Sequence, residues 1–368
     1  MTVAAHGTAV RSARLDDDVV RIELADGTPL ARHVLALRDG CPCLECRHPV
    51  SGQRLFESAR VLRRVRAAEV CAEADGSLAV EWDDGHRSVF PASSFGEEPS
   101  RAIRLWDSSL ADDGLTAYRW ANIAQSGEAR RAWLEHAAVL GFSLLRGVPV
   151  EPGYVERVAA LFGAVRETNY GRVFDVSVTV GAANLADTAL PLSPHTDNPY
   201  REPAPTLQLL HCLASEVDGG ETLLVDGYAT VERLRRTAPE KLATLAREPI
   251  RYAYRDDHAD LSARVPVVSL DAAGAVAALH LNNRSKGIPD GDPERVASWY
   301  DAYLSLVALV ESPEQQVVFR LEPGDVVLFD NLRVLHGRTG FASTGSRRLQ
   351  GCYADRDGLL STLALLER

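Results

Sequence analysis

The chain has 368 residues, 46% hydrophobic and 25% charged, an ordinary globular mixture long enough for two domains. A net charge of -11, with no basic block to offset it, excludes a surface built for nucleic acid or an anionic membrane. No apolar run approaches the ~20 residues that span a bilayer, and no secretion signal opens the chain, so the expectation is a cytoplasmic protein.

Residues 1–95 read as short strands and tight turns. "VVRIEL" alternates apolar and polar residues before Asp26-Gly27, and "SLAVEWDDGHRSVF" is two strands joined at Asp84-Gly85, a strong hairpin signal. Between them lies "DGCPCLECRHP". Three of the six cysteines, Cys41, Cys43 and Cys46, fall within six residues, which in a reducing compartment fits metal binding better than disulfides. Three thiolates need a fourth ligand to close a tetrahedral zinc shell. His86, just past the hairpin turn, is the expected one, and His48 competes, although a ligand two residues after Cys46 would crowd the ion. Free or redox thiols are the alternative. A closed shell makes the zinc structural, compensating for the small core of a domain under 100 residues.

"GEEPS", residues 96–100, reads as a linker, and residues 105–368 form a second domain of mixed texture. "EARRAWLEHAAVL", "GYVERVAALFGAV", "VERLRRTAPEKLATLA" and "PERVASWYDAYLSLVALV" have helical spacing. Strand-like runs lie between them: "TLQLLHCL", "ETLLVDG", "VAALHLNN", "QVVFRLEPGDVVLFDN" and "RRLQGCYAD". Strands with interspersed helices and no regular alternation predict a mixed β fold, a sandwich or jelly roll with helices packed outside.

Within this domain "SPHTDNPYREP" is kept out of a helix by its prolines, and in an extended segment His195 and Asp197 point to one face. A third ligand is expected from a distant strand, and His336 follows the apolar "GDVVLFDN" run. Two histidines and one carboxylate leave three coordination positions open, the set of non-haem Fe(II) oxygenases, although zinc hydrolases use it too. What separates the two is a site for an oxidisable co-substrate. Arg347, eleven residues after His336, is placed to pair with a dicarboxylate, and Thr222 in "GGETLLVDG" adds a hydroxyl.

His195-x-Asp197, Gly219-Gly220-Glu221-Thr222, "NLRVLHGR" and "RRLQGCYADRD" resemble the 2-oxoglutarate-dependent dioxygenases of the taurine-dioxygenase superfamily. The "CPCLEC…DDGH" module narrows the resemblance to the γ-butyrobetaine and trimethyllysine hydroxylase branch. It implies a double-stranded β-helix (jelly-roll) core, a zinc-binding N-terminal domain and a homodimer. It also implies Fe(II), with 2-oxoglutarate and O2 as co-substrates, and release of succinate and CO2.

The resemblance places Tyr170, Phe174 and Tyr353 at an aromatic cage for a small-molecule ammonium group, with Asn184 nearby. Asn282 and Asn283 match a substrate-carboxylate segment, which Arg284 and Tyr200 extend with a charge and a hydroxyl. Two positions depart from the branch: Asp187 stands where a tyrosine is expected, and Phe174 where a tryptophan is. The expectation is therefore a hydroxylase of a short zwitterion, an amine or quaternary ammonium with a carboxylate or phosphonate at the other end. True γ-butyrobetaine or trimethyllysine hydroxylation is the alternative.

Overall fold

The computed structural model describes residues 8–96, 101–112, 114–177, 188–342 and 345–368. The chain divides into two compact units, Met1–Ser100 and Arg101–Arg368.

The first unit holds two antiparallel three-stranded sheets. One runs Val10–Asp16, Val19–Leu24, Pro29–His33; the other runs Ala67–Ala72, Leu78–Trp82, Arg87–Phe90. Alternation does the sorting: Val20, Ile22 and Leu24 are buried while Arg21 and Glu23 face outward. Those three pack with Val34, Leu37, Leu78, Val80, Trp82 and Phe90 into one small core. Both Asp-Gly turns form where the sequence places them, with Gly27 and Gly85 at φ of 87° and 82°, a region that favours glycine.

The second unit is a double-stranded β-helix. Its major sheet has the order Phe174–Ser177, Arg347–Ala354, Leu207–Ser215, Val326–Asp330, Phe142–Arg146, Ala117–Arg119, with Val165–Arg166 also paired to Arg347–Ala354. The minor sheet has the order Leu192–His195, Val334–Arg338, Thr222–Asp226, Gln316–Phe319. The fully buried Val326–Asp330 strand shows how the layers stack. Val326 and Leu328 face helices Gly127–Leu140, Tyr154–Ala159 and Arg356–Leu366, while Val327 and Phe329 face the minor sheet through Leu224 and Val334. On the far side of the minor sheet, Val225 and Leu335 pack on helices Gly227–Thr237, Pro239–Arg247 and Pro293–Val310.

Two local expectations change. "VERLRRTAPEKLATLA" is two helices, not one, because Pro239 lacks the amide that would continue the first and instead opens the second. In "GYVERVAALFGAV" the helix covers only Tyr154–Ala159, and the chain then turns into the Val165–Arg166 strand. The sequence reading also missed the C-terminal helix Arg356–Leu366 and the hairpin of Ile250–Arg255 with Asp260–Val265.

Candidate active site

The minor sheet places two histidines face to face. His195 and His336 are cross-strand partners on adjacent antiparallel strands, and their ring centroids lie 4.4 Å apart. The register slips between Leu192 and His195, which presses the two backbones together at Gly337; a Cβ there would stand 2.4 Å from the Leu192 carbonyl oxygen. Only glycine fits that approach.

Asp197 follows the end of the His195 strand. His195 Nε2 lies 3.3 Å from its Oδ1, and His336 Nε2 lies 3.7 Å from its Oδ2. One donor atom from each of the three residues falls within a 4.8 Å span. Both histidines are buried, and the opening beside them leads into a cavity of about 830 Å³. Two imidazoles and a carboxylate converging on one point, with space on the other side, fit an Fe(II) ion with open positions.

Surrounding groups hold these donors in place. His195 Nδ1 sits 2.9 Å from the Ser193 carbonyl, which turns Nε2 toward the shared point. Asn331, fully buried, accepts from the Asp197 amide at 2.7 Å and donates to the carbonyls of Asp197 at 2.9 Å and Pro205 at 3.0 Å. Tyr353 donates its hydroxyl to Asp197 Oδ2 at 2.9 Å. Burial works against ionising Asp197, but His336, His195 and Arg284 outweigh it and hold the carboxyl well below the usual range. Burial, reinforced by neighbouring His195, pushes His336 down to about 3, so its imidazole is neutral at pH 7, the form that ligates a metal.

Arg347 and Thr222 line the same cavity. Arg347 donates to the Gly220 carbonyl at 3.3 Å, and its guanidinium lies 5.2 Å from the centre of the Phe341 ring. Burial lowers its pKa, and among the described residues no carboxylate pairs with it. A partly desolvated cation without a counter-charge, facing a cavity, is a receptor for a carboxylate.

The cavity wall is aromatic. Tyr170, Phe174, Tyr200 and Tyr353 all line it, with ring centroids 6.2 Å apart for Tyr170 and Phe174 and 5.0 Å for Phe174 and Tyr353. Phe174 lies against the bare backbone of Gly351, where a Cβ would stand 2.5 Å from the ring. The hydroxyl of Tyr200 donates to Asn198 Oδ1 at 2.6 Å and meets that of Tyr170 at 2.9 Å, so its proton is already committed within the protein.

The proposed anion-binding segment is divided. Asn282 and Arg284 line the cavity, while Asn283 is exposed and outside it. The Asn282 amide donates to the Thr196 carbonyl at 2.9 Å, so it braces the loop that carries Asp197. Asn184 and Asp187 lie outside the described residues.

The sequence reading missed Tyr254, Asp256 and Ser285, which also line the cavity. Tyr254 stacks on Tyr200 at 5.2 Å and donates to Asp256 at 2.7 Å. Ser285 carries a buried hydroxyl with no partner among the described residues. The nearest sequence signal for Tyr254 and Asp256 is the "RYAYRDDH" turn of the overlooked hairpin, and Ser285 directly follows Arg284 in the segment read for the substrate's anion.

In the N-terminal unit, His86 Nε2 lies 3.3, 3.6 and 3.6 Å from the sulfurs of Cys41, Cys43 and Cys46. Zinc bonds of about 2.3 Å to sulfur and about 2.0 Å to nitrogen set such atoms roughly 3.5 Å apart in a tetrahedron, so the four residues fit that ion. His48 is not among the converging donors; its Nδ1 accepts from the Ser51 amide at 3.1 Å.

Comparison with known proteins agrees with both units. The Taurine catabolism dioxygenase TauD, TfdA family model matches residues 112–353, and the Gamma-butyrobetaine hydroxylase-like N-terminal model matches residues 12–95. The gamma-butyrobetaine dioxygenase of Pseudomonas sp. (strain AK-1) is 36% identical over 362 residues, covering 95% of this chain and 94% of that protein. The mitochondrial trimethyllysine dioxygenase of Homo sapiens is 29% identical over 345 residues, covering 90% and 81%. The crystal structure of asparagine oxygenase with Fe(II), hydroxyasparagine and succinate shares the fold, with a TM-score of 0.51 and 19% identity over 62% of this chain and 81% of that one. Among the described residues no helix is long and apolar enough to cross a membrane. The chain thus belongs to the TauD/TfdA family and is an Fe(II)- and 2-oxoglutarate-dependent dioxygenase that acts on a small molecule.

Proposed function

We propose that this enzyme hydroxylates an unactivated C–H bond of a short zwitterion, an amine or quaternary ammonium linked to a carboxylate or phosphonate. The observation that carries the reading is one cavity joining a two-histidine, one-carboxylate face, an unpaired guanidinium and a wall of aromatic rings. In this reading His195, Asp197 and His336 hold Fe(II), and Cys41, Cys43, Cys46 and His86 hold a structural zinc. When bound, iron and 2-oxoglutarate supply the oxidising chemistry, with succinate and CO2 as by-products.

The chain's own residues do the positioning. Arg347, with Thr222 beside it, takes the distal carboxylate of 2-oxoglutarate and so orients its other end toward the histidines. Tyr170, Phe174 and Tyr353 offer ring faces to a cation, worth ~2 kcal/mol or more when desolvated. Arg284 and the free Ser285 hydroxyl are the donors for the substrate's anion. Phe174 presents less π surface than a tryptophan would, which favours a substrate other than γ-butyrobetaine. The 36% identity to the Pseudomonas enzyme favours γ-butyrobetaine itself as the second reading.

A homodimer in the cytoplasm belongs to the same proposal. None of the six cysteines forms a disulfide, which suits a reducing compartment, and light scattering of the purified protein tests the dimer.

The test of the zwitterion reading compares one active amine with its two one-ended analogues, one lacking the anion and one lacking the cation. Coupled turnover should need both ends. Equal turnover of either analogue would overturn the reading.

A further inference from the structure

We propose that the hydroxyl of Tyr353 is a positioning group that fixes how Asp197 presents its carboxylate to the metal. The inference rests on the assignment of iron to His195, Asp197 and His336. Tyr353 is 3% exposed, on the strand Arg347–Ala354, and its hydroxyl donates to Asp197 Oδ2 at 2.9 Å. Its ring meanwhile packs against Phe174 in the cavity wall. One side chain therefore touches both the place for the substrate and the carboxylate of the metal face.

The hydrogen bond removes the last freedom of Asp197. Asn331 grips the backbone of Asp197 through both its amide and its carbonyl, so only rotation of the side chain remains. With Oδ2 engaged by the phenol and 3.7 Å from His336 Nε2, Oδ1 is the oxygen without a hydroxyl partner and the one closer to a histidine, 3.3 Å from His195 Nε2. A carboxylate that binds through one oxygen leaves three metal positions open. One that swings to bind through both closes a position that the co-substrate or O2 needs. Groups that orient a ligand from outside the coordination sphere typically set metal affinity by 10–100-fold.

Tyr353→Phe separates the two roles, since it keeps the ring and removes only the hydroxyl. Co(II), which reports its coordination through its visible spectrum, serves as the probe. We expect Tyr353→Phe to weaken Co(II) binding about tenfold or more. The Co(II) spectrum and its response to 2-oxoglutarate should change, and 2-oxoglutarate should be consumed without matching product. The substrate KM should stay within about threefold, because the aromatic face is intact.

Co(II) affinity and spectra matching those of the unaltered protein would overturn the proposal. If Tyr353→Phe does not fold, 3-fluorotyrosine at position 353 keeps every contact and makes a stronger donor. An altered Co(II) spectrum then supports the positioning role, and an unaltered one overturns it. Asp197→Ala is the control that isolates the underlying assignment: it should abolish specific Co(II) binding, and retention there would refute the metal site itself.

Discussion

His195 and His336 face each other across two antiparallel strands of the minor sheet, 141 positions apart in the chain, with ring centroids 4.4 Å apart. The pairing register, not either loop, sets their spacing, so the metal face is as rigid as the sheet that carries it. His195→Ala, Asp197→Ala or His336→Ala should each abolish Fe(II)-dependent turnover while leaving the protein folded, because the three side chains face a cavity of about 830 Å³ from which water can reach any partner they leave, such as the Tyr353 hydroxyl. Succinate formation and thermal unfolding, measured on the same preparations, check both halves.

Arg347→Ala should raise the 2-oxoglutarate requirement steeply. Truncating one partner of a buried charge pair typically costs roughly 2–5 kcal/mol. The half-saturating 2-oxoglutarate concentration should therefore rise about thirtyfold or more, with the KM for the amine much less affected. Arg347→Lys should recover only part of the loss, since an ammonium cannot reproduce the two-pronged contact.

The proposed zinc cluster, remote from the iron-face residues in sequence, should act as a stability element. Cys43→Ser or His86→Ala should release zinc and destabilise the N-terminal unit without altering the residues of the iron face. Elemental analysis of the purified protein should find zinc before substitution and little after it. Strong chelators should lower the unfolding temperature of the unaltered protein.

Stability should fall in mild acid because of His211. It is fully buried on the strand Leu207–Ser215, neither ring nitrogen has a partner among the described residues, and burial lowers its pKa to about 4. The unfolded chain takes up that proton near pH 6.5, the ordinary value for histidine. Between about pH 6.5 and 4 the unfolded state therefore binds more protons, and stability is lost as pH falls, by roughly 3 kcal/mol over the whole window. Denaturant unfolding at pH 7 and pH 5 measures the slope, and His211→Leu should reduce it, leaving the share of the other histidines that burial lowers, among them His136 and His280.

The residues of the two candidate metal clusters were legible because their chemistry is concentrated: a histidine and an aspartate two apart in a proline-bounded segment, and three cysteines within six residues. The groups that orient them were not. Asn331 reads as a turn residue, and its hold on Asp197 exists only once the strands close. The segment match treats Asn282 and Asn283 alike, but the chain turns at Asn283, with the Arg284 amide donating to Asn282 Oδ1 at 3.1 Å, so Asn282 lines the cavity while Asn283 faces solvent. Tyr254 and Asp256 reach the cavity from a hairpin whose place in the fold no local pattern encodes.

The most direct test of the whole account measures succinate release with Fe(II) and 2-oxoglutarate across matched concentrations of short aminoalkyl and ammonioalkyl carboxylates and phosphonates, γ-butyrobetaine and trimethyllysine. The account expects at least one short zwitterion to raise succinate release far above the substrate-free rate, with one hydroxylated product per succinate, and γ-butyrobetaine to be a poorer substrate. Efficient, fully coupled hydroxylation of γ-butyrobetaine above every shorter zwitterion would contradict the substrate assignment, and no stimulation by any zwitterion would contradict the account at its root.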